Sequence, residues 1–431
     1  MLRTRILKQI IAMNPEPTEL ESRSLIDDVA RRSYGKLVAI LAAPTHDIAA
    51  AEDALSEAFT SALTDWPASG CPANPEAWLL TVGRRRMIDA ARRRFTADGA
   101  TETLQILAAA AAGESDAGNP DRRLALMFVC AHPAIDPIIR APLMLQVVLG
   151  LEAKTIASAF LMSPTAMGKR LVRAKAKIRR TGISFRIPER EELASRLDTV
   201  LDAVYAGYSE GWRDPSGTDA AQRALAEEAI YLSRLLTELL PTEPEALGLL
   251  ALILHADARR QARRNQIGEY VPLANQDQSL WNWQMIEEAE GLIRNASSMG
   301  SIGRYQLQAA IQSAHVYRCR TGENNWASVV QLYDALLSID ESLVVAINRA
   351  LAVAEIKGAA EGLNELEKLN RDARLGQYQP YWAARAELTA RVGAADDALA
   401  AYEMAIGLER DPAVRRFLLL RQAGLSSRQR K

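Results

Sequence analysis

The sequence predicts an all-α protein: two small helical domains, the second with a helix-turn-helix, then a solenoid of helical hairpins. Three observations predict it. Aromatic residues make up only 6% of the 431 residues, and Ala and Leu dominate, a composition that favours helices over sheets. Apolar residues recur at helical spacing along most of the chain. Residues 332–340 align with residues 401–409, an offset of 69 residues, close to twice the period of about 34 residues of a tetratricopeptide hairpin.

The elements follow in order. Residues 1–19 read as a tail, and Met13 is an alternative start. Residues 20–95 form the first domain. Residues 25–41 carry helical spacing, and Asp47 caps a helix over 48–63 whose apolar side includes Ile48, Ala51, Leu55, Phe59 and Leu63. Asp53 and Glu57 lie one turn apart on its other edge. A loop over 65–74 contains Trp66-Pro67. Asn74 then caps, and Pro75 opens, a helix over 75–95. Residues 96–120 have four acids and no Lys or Arg, and read as an acidic flexible linker. The second domain, 121–182, contains helices over 121–130, 142–149 and 152–160, a tight turn over 161–163, and a helix over 164–180. A helical extension spans 183–300, and hairpin repeats span 301–424. Small residues at Ala350, Ala352, Ala354, Ala383, Ala384 and Ala386 let paired helices approach closely and stack into a curved surface.

Two of these helices are basic in a chain that is otherwise balanced, with 52 Lys+Arg against 53 Asp+Glu. The first carries Arg84, Arg85, Arg86, Arg92, Arg93 and Arg94, of which Arg85, Arg86, Arg92 and Arg93 lie opposite an apolar side of Leu80, Met87, Ile88 and Ala91. The second carries Lys169, Arg170, Arg173, Lys177 and Arg180 opposite a narrow stripe of Met167, Leu171, Ala174 and Ile178. Clustered cations on a helix held by its opposite side suit a nucleic-acid backbone. In the second, Thr165, Ala166 and Lys169 lie near the N-terminal end, where a helix in the major groove touches base edges.

Other signals point away from catalysis and metal chemistry. Asp53 and Glu57 have no His or metal-ligand set beside them, and Cys130-Ala131-His132 supplies only two ligand types. Neither a catalytic residue, a metal nor a cofactor is expected. His255-Ala256-Asp257 with Arg259, Arg260, Arg263 and Arg264 reads as a buried polar junction, with an anionic ligand as the alternative; Trp281 and Trp283 read as packing. Three scattered cysteines suit a reducing cytosol. The longest apolar run, 247–254, falls short of the roughly 18–20 residues that span a bilayer.

The ordered motifs resemble a known family. Ala51-Glu52-Asp53-Ala54-Leu55-Ser56-Glu57-Ala58-Phe59, followed by Asn74-Pro75-Glu76-Ala77-Trp78-Leu79-Leu80, is similar to region 2 of extracytoplasmic-function sigma factors. Ile156-Ala157-Ser158-Ala159-Phe160 through Lys169-Arg170-Leu171-Val172-Arg173 resembles their region 4. Cys130-Ala131-His132-Pro133-Ala134, Asp277-Gln278 and Tyr305-Gln306-Leu307-Gln308 fit a subgroup with a tetratricopeptide-like extension. Two departures stand out: Leu161 occupies the turn where glycine is usual, and Gly168 sits inside the second basic helix.

The resemblance implies a cytoplasmic sigma factor that directs transcription initiation. Asp53, Leu55 and Glu57 would contact core RNA polymerase. Trp66, Asn74 and the arginines of 84–86 and 92–94 would hold the −10 element of promoter DNA. Thr165, Ala166, Lys169, Arg170, Arg173 and Lys177 would read the −35 element. The repeat surface would regulate or support activity, through a regulatory protein or a contact within the chain. An autonomous helix-turn-helix regulator with a repeat-based sensor is the competing reading.

Overall fold

The structure is a computed structural model, and it describes residues 17–98, 122–160, 162–212, 220–370 and 372–429. Every regular element among them is helical, apart from one isolated antiparallel bridge between Arg264 and Tyr270. The chain divides into two compact units, Met1–Leu232 and Ser233–Lys431.

The first unit opens with α1 (Pro17–Ala42), α2 (Ile48–Ser69) and α3 (Pro75–Asp98), each packed on the other two. Their core is the apolar face that helical spacing dictates: Ile26, Leu37 and Val38 of α1, Ile48, Leu55 and Phe59 of α2, Leu79 and Met87 of α3. Asp47 caps α2 by accepting from Ala50 N–H. α2 runs two turns past the expected end at residue 63. The buried set Leu55, Phe59, Ala62 and Trp66 keeps the helical spacing through this turn, and Pro67 falls in the last turn. The expected loop over 65–74 therefore shrinks to residues 70–74.

The next helices are α4 (Arg123–Cys130), α5 (Pro137–Leu149), α6 (Ala153–Ala159), α7 (Pro164–Thr181) and α8 (Arg190–Trp212). α5 starts one turn or more before the expected residue 142. Asp136 is its cap and Pro137 its first residue, so Pro142 sits inside the helix. α5 is the hub: it packs on α1, α4, α6, α7 and α8. α8 contributes buried Leu197, Val200, Leu201, Val204 and Tyr208 to this unit, whereas the sequence alone places a boundary at residue 183. The division into units falls inside α9 (Ala220–Leu239). Most of the acidic linker and Leu161 lie outside the described residues.

The second unit continues with α10 (Pro244–Asp257), α11 (Trp283–Ser298), α12 (Arg304–Thr321), α13 (Trp326–Ile339), α14 (Leu343–Lys357), α15 (Ala359–Lys368), α16 (Gln379–Arg391), α17 (Ala395–Leu408) and α18 (Pro412–Gln429). From α10 onward each helix packs on the next. The core is correspondingly split into successive clusters. Leu307, Ile311, Leu336 and Val345 form one, Ile347, Ala350, Leu366, Tyr381 and Leu388 the next, and Ala386, Ala401, Tyr402 and Leu418 the last. α13 and α17 begin 69 residues apart, and so do α14 and α18, which extends the sequence offset to helix boundaries. Close approach occurs where small residues predict it: a Cβ on Gly362 would lie 2.6 Å from Ala354 Cβ and 2.8 Å from Ala350 O.

Candidate nucleic-acid interface

α3 is aimed by its first turn. Asn74 accepts from Ala77 N–H at 3.1 Å, and Glu76 receives Lys36 Nζ at 2.7 Å and the Ser33 hydroxyl. Burial opposes the Glu76 charge, but the hydrogen bonds from Lys36 and Ser33 outweigh it and lower its pKa. With Leu79, Leu80, Met87 and Ala91 buried, Arg85, Arg86, Arg92 and Arg93 stand exposed on the far side. Leu79 joins the apolar stripe, while Ile88 is only half-buried. Asp89 lies among the cations: its carboxylate is 4.0 Å from Arg92, and its carbonyl accepts from Arg93 Nε at 3.3 Å. Arg86 pairs with Glu57 of α2 at 3.4 Å. Arg84 is half-buried, and the side chain of Arg94 is outside the described residues.

Trp66 is placed differently from the sequence expectation. It is 1% exposed and meets Trp78 edge-on, so its ring belongs to the α2–α3 joint and presents no face to a base. Leu55 is 0% exposed and likewise belongs to the core. Of the three residues expected on the partner-docking edge, Asp53 and Glu57 are at the surface. The burial of Leu55 is legible as one stripe with Ala51, Ala58 and Phe59.

α7 follows its wheel. Ser163 caps by accepting from Ala166 N–H at 3.2 Å, Pro164 opens the helix, and Met167, Leu171, Ala174 and Ile178 are buried. Thr165, Lys169, Arg170, Arg173 and Arg180 are exposed and Ala166 is half-buried, so a continuous cationic face with a polar N-terminal end is presented. Lys177 turns inward instead and donates to the Ala134 carbonyl. Lys175 and Arg179, absent from the expected set, pair with Glu52 and Asp47 of α2. α6 and α7 pack on each other, with four residues between them in the chain.

The remaining candidates resolve into structure. Cys130 is buried, which pushes its thiol pKa up. His132 Nδ1 accepts from Ala134 N–H at 3.1 Å, and burial, then Arg196 and Arg140, lower its pKa. In the second unit Arg259 donates to the His255 carbonyl and to Gln312, Arg260 pairs with Asp257 at 2.7 Å, and Arg264 pairs with Asp411. These guanidiniums hold protein groups together, which is the buried junction. Trp281 packs beside Ala258, Ala262 and Ile286, with Trp283 5.8 Å away.

Residues 29–95, which contain most of α1, all of α2 and nearly all of α3, match sigma-70 region 2. The chain belongs to the sigma-70 family. Its members are transcription-initiation factors rather than enzymes. This sigma-70 family member also matches, over residues 196–297, a family of unknown function, DUF6596. That segment runs from α8 through α11. An uncharacterised protein of Rhizobium meliloti (strain 1021) is 39% identical over 364 residues, covering 83% of this chain and 86% of the relative. No solved structure matches. Among the described residues no helix is long and apolar enough to cross a membrane.

Proposed function

We propose that this sigma-70 family member is a promoter-specificity subunit of bacterial RNA polymerase, of the extracytoplasmic-function group. It grips promoter DNA at two points. α3 holds the opened −10 strand through Arg85, Arg86, Arg92 and Arg93. α7 enters the −35 duplex with Thr165, Ala166, Lys169, Arg170 and Arg173. Asp53 and Glu57 form the edge offered to the core enzyme. The observation that carries this reading is the coincidence of the region 2 match with a helix whose arginines stand on one exposed face. The tetratricopeptide-like half regulates or supports initiation. The short α6, its connection and the capped cationic α7 support duplex reading.

Such a subunit binds duplex weakly alone and binds a promoter tightly, with strong salt dependence, once core polymerase is present. Run-off transcription with purified core polymerase tests this. Specific starts that need the protein support it. Failure to bind core or to start transcription ends it, and nanomolar duplex binding by the protein alone favours the autonomous regulator.

A further inference from the structure

His132, from the Cys130-Ala131-His132 run, walls a cavity. The cavity measures about 290 Å³ and lies within the first unit, where three segments meet. His132 comes from the turn between α4 and α5. Thr181, Ser184 and Arg186 come from the exit of α7, and Arg196 comes from α8. No carboxylate is among the described residues that line it.

The wall is rich in donors and poor in acceptors. The turn spends its carbonyls elsewhere: Pro133 and Ile135 accept from Arg140 at 3.2 and 3.0 Å, and Ala134 accepts from Lys177. His132 Nδ1 accepts from Ala134 N–H, so the neutral ring carries its proton on Nε2 and donates there. Ser184 has a hydroxyl and an N–H with no partner among the described residues. Arg186 and Arg196 each pair with one acid of the next turn, Glu189 and Glu192, both exposed. A guanidinium has five N–H donors, so one such pair leaves others to the cavity. Charge points the same way. Burial first, then Arg196 and Arg140, lower the His132 pKa; Glu192 raises it, and Lys177 lowers it further. The C-terminal end of α7 opposes an anion through its dipole. Its last carbonyls are taken, however: Lys177 accepts from the Thr181 hydroxyl, Ile178 from Ile183 N–H and Arg179 from Gly182 N–H.

We infer that this cavity binds the phosphate group of a small solute, held by Arg186, Arg196, His132 Nε2–H and Ser184. Two guanidiniums, an imidazole N–H and a hydroxyl suit the several acceptor oxygens of a tetrahedral dianion better than the two of a carboxylate. The volume sits at the lower end of small-molecule pockets, which leaves room for a phosphate and a short polar body. Among the described residues of the wall His132 has the one aromatic ring, so a nucleobase finds no larger face to stack on. A phosphate here would bridge the α4–α5 turn, the exit of α7 and α8. It would thereby link the concentration of a solute to the stability of the junction where α7 gives way to α8. The inference stands whether or not the sigma-factor reading does.

The test is calorimetric titration of the full chain with inorganic phosphate, and separately with acetate, at fixed ionic strength. The expected result is one saturable phosphate site per chain and much weaker acetate binding. R196Q should weaken phosphate about ten- to hundredfold, the loss of one hydrogen bond to a charged group. R186Q should weaken it in the same sense, and R92A, on the cationic face of α3, should leave it unchanged. Melting curves without phosphate show whether each variant folds. Arg186 is exposed, so R186Q decides if R196Q does not fold. No saturable binding by wild type overturns the inference, and so does wild-type affinity in both glutamine variants. Acetate bound as tightly as phosphate overturns the choice of a phosphate. If the glutamine variants lose promoter affinity with core polymerase while wild type binds no free phosphate, these cations serve the DNA backbone and the inference is wrong.

Discussion

Trp66 and Trp78 meet edge-on, ring centroids 5.5 Å apart and interplanar angle 72°, and so tie the last turn of α2 to the first turn of α3. The contact sets the angle at which α3 leaves the core and presents its arginines. Trp66→Ala is expected to remove about 3–5 kcal/mol from the first unit, as for other buried Trp truncations. Trp66→Phe should cost less. Chemical denaturation followed by fluorescence, with the first transition analysed separately, measures both.

Arg85 and Arg92 are exposed on the cationic face of α3. Replacing either by Ala should weaken promoter binding of the core complex nearly uniformly across sequences. Each loss should flatten the plot of log K against log salt by roughly 0.7–0.9. Lys169→Ala or Thr165→Ala should instead change which −35 sequences are preferred. Binding titrations over a salt series and a set of promoter variants separate the two behaviours; equal, sequence-blind losses for all four would refute the division of labour.

Gly168 sits within α7, and a Cβ added there would meet nothing within 4 Å. Packing therefore does not require glycine, and its place in a helix interior carries a cost. Gly168→Ala should stabilise the first unit by about 0.5–1 kcal/mol. A rise in melting temperature with promoter binding retained is the expected outcome. A loss of binding would mean that DNA backbone approaches α7 at this point.

His255 is fully buried, and burial, reinforced by Arg259, brings its pKa down to about 3. Glu290 Oε1 lies 3.4 Å from Nε2, too far to offset that burial by a charge-assisted bond. His315 is pushed down to about 4 by burial and then by Arg318 and Arg259. Both pKa values are below the unfolded value of about 6.5. The unfolded chain therefore takes up more protons under acid, and their contribution is intact above pH ~6.5 and lost as pH falls toward 4. The melting temperature of the second unit should drop over that window, and His255→Leu should flatten the drop. A slope unchanged by the substitution would assign the acid sensitivity elsewhere.

Removing the C-terminal half calls for a cut after α9, near Leu240, rather than at the boundary near residue 183 that the sequence suggests. A chain ending at residue 186 loses α8, whose Leu197, Val200, Leu201 and Val204 are buried, and whose Gly207 would place a Cβ 3.3 Å from Leu145 of α5. It should aggregate or melt far lower. A chain ending at residue 240 should keep a cooperative melt, and its transcription then reports what the second unit contributes.

Much of this protein is legible in its sequence. Apolar spacing and local capping residues identify the buried stripe of α7, the Asn74–Pro75 start of α3 and the 69-residue offset, because these depend on local periodicity and on backbone groups a few residues away. The wheel also separates the cationic faces from their apolar backing. Helix ends are less legible. Pro67 and Pro142 look like breaks, yet α2 and α5 pass through both, since the buried faces of Trp66 and of Ile139, Leu143 and Met144 stabilise the extra turns.

The helical class, the two basic faces and the repeat offset are all consequences of short-range spacing, and the chain carries them before it folds. Which cations remain available is settled by long-range packing. Lys175 and Lys177 share a helix and a charge with Lys169, but Glu52 lies 123 residues from Lys175 and the Ala134 carbonyl 43 residues from Lys177. No local pattern encodes a partner at that separation. It is the packing of α7 on α2 and α5 that turns one part of a uniformly basic helix toward the protein and leaves the rest exposed.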